Sequence, residues 1–270
     1  MKTILVRGPA LSRSGYGEQT RFALRSLRAY EERFNILLMN IPWGQTGWIA
    51  DDGEERAWLD HLIGKTQHHI NNKAPIDITL QVTIPNEWER MAPTNIGYTA
   101  GIETTRVSPQ WLEKAQIMEK IIVVSNHAKK VFDTTVYQAQ NQETQETFEF
   151  KNETPIDVVN YPVRDLEQEP VDIELEYDFN FLSVAQMGPR KNFNNTLNWF
   201  LQEMHDEEVG IVFKINYANC STADRILCAT HMKEVVDQYP DRKCKVYLLH
   251  GDLTSKQMNF LYAHPKIKSY

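Results

Sequence analysis

Hydrophobic and polar positions divide the chain into two recurring kinds of segment. Short apolar runs typical of buried strands alternate with stretches whose apolar residues lie three or four positions apart, as on one face of a helix. The runs expected to form strands are residues 2–6, 34–41, 76–84, 95–100, 120–124, 156–160, 179–185, 209–215 and 245–249. Because strands and helices alternate, we predict an α/β protein built on parallel sheets.

The helical patterns fall between these strands. They are expected near residues 22–30, 52–70, 109–118, 126–132, 192–205, 223–239 and 255–263. Ser125, directly after the strand at 120–124, is the residue type that caps a helix N-terminus. One segment does not fit the alternation: residues 138–152 are rich in Gln, Glu and Thr, and we expect an exposed loop or hairpin there.

An acidic segment divides the chain. Residues 165–178 contain seven acids and no Lys or Arg, a charge equal to the net charge of -7. Apolar residues alternate with these acids, which indicates a half-exposed strand or an extended linker. We therefore expect an N-terminal Rossmann-like domain over residues 1–163, an acidic linker over 164–178, and a partial C-terminal Rossmann-like domain over 179–270.

Composition narrows the class of protein. With 41% hydrophobic and 24% charged residues, the chain resembles a globular protein, and it has no apolar run of the length that spans a membrane. The apolar run after Met1 is too short for a secretory signal, so a cytoplasmic protein is expected. No basic face is present, which argues against a nucleic-acid partner. The oligomeric state cannot be predicted.

Metal and redox sites are not expected. Cys220, Cys228 and Cys244 match no metal-binding or redox spacing and are interpreted as reduced structural thiols. His61, His68 and His69 lie in one predicted helix, but no carboxylate or cysteine completes a metal-ligand set with them. We therefore predict neither a metal nor a cofactor.

The strongest chemical signal lies in residues 179–204. An apolar strand leads into a turn that contains Gly188, Arg190 and Lys191, and a helix follows. Helix N-terminal N–H groups carry a partial positive charge, so two added cations would suit a diphosphate. The alternative is that both cations are solvated surface charges. A second loop, after the first strand, contains Gly15 and Gly17, which either admit a ligand or only form a turn.

Four segments resemble a known family. The Gly15-Tyr16-Gly17 loop, VVSNHAKKVF at 123–132, FLSVAQMGPRKN at 181–192 and HGDLTSKQMNFLYAH at 250–264 occur in this order. They are similar to motifs of the large retaining GT-B glycosyltransferase family that includes sucrose synthases and lipopolysaccharide glycosyltransferases. The resemblance implies two Rossmann-like domains and transfer of a sugar, with retention and without a metal, from a nucleoside-diphosphate sugar to the hydroxyl of a glycan, lipid or protein acceptor.

The resemblance also assigns residues. It implies that Arg190 and Lys191 hold the donor diphosphate as catalytic residues, and that Glu103 binds or orients the acceptor, unless Glu103 is a solvated loop acid. The remaining residues implied at the donor site are Gly15, Gly17, Gly188, Lys214, Gly251 and Leu253.

One departure leaves alternatives open. The family carries a Glu-x7-Glu pair for the donor sugar and ribose beyond the position of Tyr270, so we expect the chain to be a fragment or a natural truncation with an incomplete second domain. A non-catalytic nucleotide- or glycan-binding module and a nucleotide-sugar epimerase relative therefore remain alternatives.

Overall fold

The structure, a computed structural model, describes residues 1–50, 53–141, 143 and 145–270. The chain forms two compact units, which comprise residues 1–163 and 164–270. Each unit contains its own parallel sheet with helices around it.

Unit 1 is built on a six-stranded sheet in which every neighbouring pair is parallel. The strands of unit 1, including the two outside this sheet, are β1 (Lys2–Gly8), β2 (Phe34–Asn40), β3 (Ile78–Val82), β4 (Thr94–Thr99), β5 (Lys120–Val123), β6 (Val136–Gln140), β7 (Thr147–Lys151) and β8 (Ile156–Val158). Its helices are α1 (Gly15–Arg28), α2 (Glu54–Asn71), α3 (Pro109–Ala115) and α4 (Asn126–Thr134). The order in the large sheet is β2-β1-β3-β4-β5-β8, while β6 and β7 form a separate hairpin.

Helices cover both faces of this sheet, which explains why its strands are continuous apolar runs in the sequence. One buried group of side chains joins α1 and α2 to the sheet and includes Leu24 and Leu59. Another joins α3 and α4 to the sheet and includes Leu112 and Phe132. The strand order reverses between β1 and β3, so their carboxyl ends flank the crevice where α/β sheets bind ligands.

Unit 2 contains a four-stranded parallel sheet in the order β11-β10-β9-β12. Its elements are β9 (Asn180–Gln186), α5 (Phe193–Glu203), β10 (Gly210–Asn216), α6 (Thr222–Val236), β11 (Lys245–Leu249), α7 (Ser255–Tyr262) and β12 (Ile267–Ser269). The chain proceeds outward from β9 through β10 to β11 and then returns to the other side of β9. This is the 3-2-1-4 order of a Rossmann half, with its switch point between β9 and β12.

The acidic segment packs on unit 2 without forming a helix or strand. Leu175 is buried in the core of unit 2, and Lys266 Nζ donates a hydrogen bond to its carbonyl at 2.9 Å. Glu167 pairs with Lys256 of α7 at 2.5 Å. The alternation of acids and apolar residues thus reflects a packed extended segment rather than a strand.

Two local predictions are confirmed. Strands β6 and β7 pair as an antiparallel hairpin, which is one of the two forms expected for the polar interruption at 138–152, the other being an exposed loop. Ser125 caps α4, since its hydroxyl accepts a hydrogen bond from Ala128 N at 3.1 Å. Among the described residues, no helix combines the length and apolar character needed to cross a bilayer.

An ion-pair network holds α1 to the loop that precedes it and to α2. Arg21 is buried, and its Nη1 donates hydrogen bonds to the carbonyls of Ala10 and Ser12 at 2.7 and 2.9 Å. Glu18 pairs with Arg21 and Arg25, at 2.7 and 2.9 Å. Burial opposes ionisation of Glu18, but these two guanidinium groups outweigh it and lower its pKa.

Unit 1 should therefore lose stability in acid partly through Glu18. Because the pKa is lower in the folded state, the stabilisation is complete above the unfolded pKa of about 4.3 and is lost as the pH falls through the folded value. We expect Glu18→Gln to give a shallower decline of the free energy of unfolding between about pH 5 and pH 3. Urea titrations at several pH values measure this slope.

Five of the six tryptophans lie in unit 1, and Trp199 lies in unit 2. In a Trp199→Phe background, tryptophan fluorescence therefore reports the unfolding of unit 1 alone. Glu54→Gln is the matched control, because Glu54 pairs with Arg28 in an exposed position where ion pairs contribute little. Equal slopes for Glu18→Gln and the parent protein would contradict the assignment.

Candidate functional site

The loop after β1 is held in one conformation from several sides. Besides the two bonds from Arg21, Leu11 N donates to Asn40 Oδ1 at 3.0 Å, and the hydroxyls of Ser12 and Thr46 lie 2.6 Å apart. Ser14 caps α1 by accepting from Gly17 N at 3.0 Å. The loop at the carboxyl end of β1 is therefore preorganised by the chain itself.

Gly15 and Gly17 have different surroundings. A Cβ on Gly17 would lie 2.0 Å from the Ser12 carbonyl oxygen, so the close approach of α1 to the loop requires glycine there. A Cβ on Gly15 would meet no atom within 4 Å, and Gly15 is exposed at the first position of α1. Close packing explains why position 17 is glycine. Gly15, by contrast, leaves open space beside the N-terminus of α1.

Tyr16 links this loop to the end of β4. Its hydroxyl lies 2.8 Å from Thr99 Oγ1 and accepts a hydrogen bond from Ala100 N at 3.2 Å. Its ring packs against Trp43, with ring centroids 4.7 Å apart. Burial is the main reason that the pKa of Tyr16 rises to about 12, so the phenol stays neutral and keeps its hydrogen bonds at physiological pH.

Glu103 lies in the loop that follows β4. This loop begins at Ala100 and Gly101, and Glu103 is exposed on it. After burial, the Glu103 carboxylate adds slightly to the upward shift in the pKa of Tyr16. Unit 1 thus brings Gly15, Tyr16 and Glu103 to the same edge of its sheet.

The turn between β9 and α5 carries the two predicted cations of unit 2. Residues 189–191 form a single 3-10 turn after Gly188, and Asn192 has left-handed backbone angles (φ 52°, ψ 37°) before α5 begins. Arg190 and Lys191 are both exposed. Among the described residues, neither side chain has a hydrogen-bond or ion-pair partner. Both charges are therefore available to an anion.

The N-terminus of α5 reinforces this positive charge. No side chain caps it and its first turn has no acid, whereas α1, α3, α4, α6 and α7 each have a Ser or Thr cap. The helix is anchored by Phe193 and Leu197, whose burial contributes about 1.5–3 kcal/mol each. An adjoining cavity of about 350 Å³ is lined by Met187, Gly188, Pro189, Asn192, Phe193, Asn194, Tyr217 and His231.

Lys214 and the loop after β11 lie at the same edge of the unit 2 sheet. Lys214 Nζ donates to the Gly251 carbonyl at 2.7 Å and so joins the end of β10 to that loop. Gly251 has φ +116°, a conformation that favours glycine. Leu253 packs against the core below. Lys214 thus stabilises the loop after β11, and the backbone conformation of Gly251 determines the path of that loop.

Sequence reasoning missed a buried polar group next to this loop. His250 Nε2 lies 2.8 Å from Asp224 Oδ1, and both side chains are almost fully buried. Burial would raise the pKa of Asp224, but hydrogen bonds from the backbone N–H groups of Ala218, Tyr217 and Asn219 and from His250 lower it well below its usual range. The available signal was that His250 directly follows the strand predicted at 245–249.

No disulfide joins Cys220, Cys228 and Cys244, all of which lie in the described part of unit 2. Cys228 and Cys244 are buried, and Cys220 is partly exposed. Cys228 Sγ lies 3.7 Å from Asp224 Oδ1. Burial, together with the Asp224 charge, raises the pKa of Cys228 to about 11, so the thiol keeps its proton at neutral pH.

Comparison with solved structures identifies the fold. An OtsA apo structure is similar over 97% of this chain and 76% of that chain, with a TM-score of 0.53 and 9% identity. The lipopolysaccharide outer core galactosyltransferase WaaB in its apo form aligns over 99% of this chain and 72% of that chain, with a TM-score of 0.49 and 10% identity. No protein-family model and no curated protein matches the sequence.

At this identity, the likeness to OtsA shows the fold alone. The chain has two Rossmann-like units, as in the GT-B architecture, and the fold expected from the sequence is confirmed. The likeness to WaaB falls below the level that would add to this conclusion.

The two glycines of the first loop provide a matched test. Gly17→Ala should lower the free energy of unfolding of unit 1 by about 1–3 kcal/mol or more, because the new methyl group meets a backbone carbonyl that cannot move without breaking the Arg21 bonds. Gly15→Ala should change it by no more than about 0.5 kcal/mol, because the methyl group enters open space. Urea unfolding of both variants measures the difference, and equal losses would refute the distinction.

Proposed function

We propose that this protein transfers a sugar from a nucleoside-diphosphate sugar to an acceptor hydroxyl, and that the donor diphosphate binds at the N-terminus of α5. The observation that carries the proposal is the set of positive groups at the switch point of unit 2. Arg190 and Lys191 are exposed, have no partner among the described residues, and precede a helix N-terminus that no side chain caps. The adjoining cavity provides room for part of a ligand.

The chemistry that this arrangement supports is stabilisation of a leaving diphosphate. Negative charge builds up on the diphosphate as the bond to the sugar breaks, and fixed cations with helix N–H groups oppose that charge without reorganising. Arg190 would supply a planar pair of donors, and Lys191 a compact charge. In this proposal the cations provide the electrostatic stabilisation, so the transfer needs no metal ion.

Retention at the anomeric carbon is proposed on the resemblance of residues 181–192 and 250–264 to motifs of retaining enzymes. For the acceptor we propose contacts on unit 1, from Gly15 and Glu103. An exposed carboxylate on a loop held by Tyr16 is suited to accept a hydrogen bond from a sugar hydroxyl. A glycan, a lipid or a protein would each present such a group.

Binding of nucleoside diphosphates tests the diphosphate site directly. We expect Arg190→Ala and Lys191→Ala each to weaken binding of the preferred diphosphate among UDP, GDP and ADP by about tenfold or more, because each removes one charge-assisted contact of about 1.5–3 kcal/mol. Isothermal titration calorimetry measures the dissociation constants.

Lys233→Ala is the matched control. Lys233 is an exposed lysine of the same unit in the last turn of α6, where it pairs with Asp237. Its removal changes the net charge equally and should leave the dissociation constant unchanged. Equal weakening by Lys191→Ala and Lys233→Ala would show that the effect is only one of net charge and would contradict the site.

Turnover separates the proposed transferase from its alternatives. With a donor sugar and an acceptor, a transferase releases nucleoside diphosphate in proportion to product, and proton NMR should show that the product keeps the anomeric configuration of the donor. Conversion of the donor without an acceptor would instead indicate an epimerase. Diphosphate binding without turnover for any donor and acceptor would indicate a binding module.

A further inference from the structure

Three potential metal ligands of different chemistry meet at the carboxyl ends of β10 and β11. Asp224 and Cys228 lie one turn apart on α6, and His250 is the first residue after β11. One ligand atom from each residue lies within 4.8 Å of the other two. Asp224 and Cys228 are buried, and the side chain of His250 is 2% exposed.

The separations are close to those around a tetrahedral zinc ion. With Zn–ligand bonds of about 2.0–2.3 Å, neighbouring ligand atoms lie about 3.3–3.7 Å apart. Cys228 Sγ is 3.7 Å from Asp224 Oδ1. His250 Nε2 is 2.8 Å from the same oxygen, a hydrogen-bond distance that would lengthen by a few tenths of an ångström once an ion replaced the shared proton.

The charges balance. A divalent ion with one carboxylate, one thiolate and one neutral imidazole has no net charge, which suits a buried position. Binding would release the thiol proton of Cys228, while His250 would bind the ion through Nε2 and carry its proton on Nδ1. The metal bonds would replace the present hydrogen bonds of Asp224 to His250 and Cys228.

Backbone groups already orient the carboxylate. Asp224 Oδ1 accepts a hydrogen bond from Tyr217 N at 2.8 Å, and Oδ2 accepts from Ala218 N at 2.7 Å and Asn219 N at 3.0 Å. Outer contacts of this kind fix metal ligands in place. Cys220, four residues before Asp224, is not one of the three clustered ligands, since its Sγ donates a hydrogen bond to Asp252 Oδ1 at 3.1 Å.

We infer that Asp224, Cys228 and His250 form a site for a zinc-type divalent cation that joins the loops after β10 and β11. The site goes beyond the proposed transfer reaction, since its ligands include neither Arg190 nor Lys191. Its role is structural: an ion there would connect the first turn of α6 to the loop that contains Gly251.

Metal uptake by the full chain tests the inference. Protein stripped with a chelator and dialysed should bind one Zn²⁺ per chain in calorimetry, and Co²⁺ should produce the near-ultraviolet thiolate-to-cobalt absorption of a cysteine ligand. Zn²⁺ in excess should raise the melting temperature of the wild type, since it binds the folded state. Cys228→Ser should abolish the cobalt absorption and weaken Zn²⁺ binding by at least about 100-fold, more than the loss of an outer contact.

Cys244→Ser is the matched control, because Cys244 is also a buried thiol of unit 2 but is not one of the three clustered ligands. It should bind Zn²⁺ and Co²⁺ as the wild type does. His250→Asn gives a second test if Cys228→Ser folds poorly: its melting temperature should no longer respond to Zn²⁺. Absence of stoichiometric uptake by the wild type, or a cobalt spectrum unchanged by Cys228→Ser, would overturn the inference and leave the three groups as a hydrogen-bonded cluster.

Discussion

The parallel pairing of β9 with β10 on one side and β12 on the other is the constraint on which the chemistry of unit 2 depends. Because the chain returns across β9 to form β12, the strand order reverses there, and the turn after β9 lies at the switch point of the sheet. Burial of Phe193 and Leu197 then holds α5 against the sheet. This topology therefore places the uncapped end of α5 and the two cations before it at the point where the strand order reverses.

Cations in the chain serve two different purposes, and their partners distinguish them. Arg21, Lys129 and Lys214 donate to backbone carbonyls at 2.7–2.8 Å and so hold loops or strand ends in place. These contacts use part of each side chain's donor capacity within the chain and fix its position, although the positive charge remains. Arg190 and Lys191 are exposed and lack such partners among the described residues. A basic residue near a strand end therefore indicates a ligand site only once its hydrogen-bond and ion-pair partners are known.

Sequence patterns predicted the fold better than the site. Apolar runs identify strands because both sheet faces are covered, and Ser125 was recognised because capping is local. By contrast, Gly15 and Gly17 look alike in sequence, and only the approach of the Ser12 carbonyl distinguishes them. The acidic segment could be predicted only as a half-exposed strand or an extended linker, since alternation does not reveal whether a partner strand is available. The pairing of His250 with Asp224, 26 residues apart, depends on strand order, which no local pattern encodes.

The loops after β10 and β11 are joined at two points at the carboxyl edge of the unit 2 sheet. Lys214 binds the Gly251 carbonyl, and His250 binds Asp224, which itself orders the backbone of residues 217–219. Neither connection uses Arg190 or Lys191. The proposed diphosphate site and the cluster of Asp224, Cys228 and His250 therefore rest on separate interactions within one unit. This fold is consistent with a protein that binds diphosphate but no metal, and equally with one that binds metal but no diphosphate. A negative result for one proposal therefore does not contradict the other.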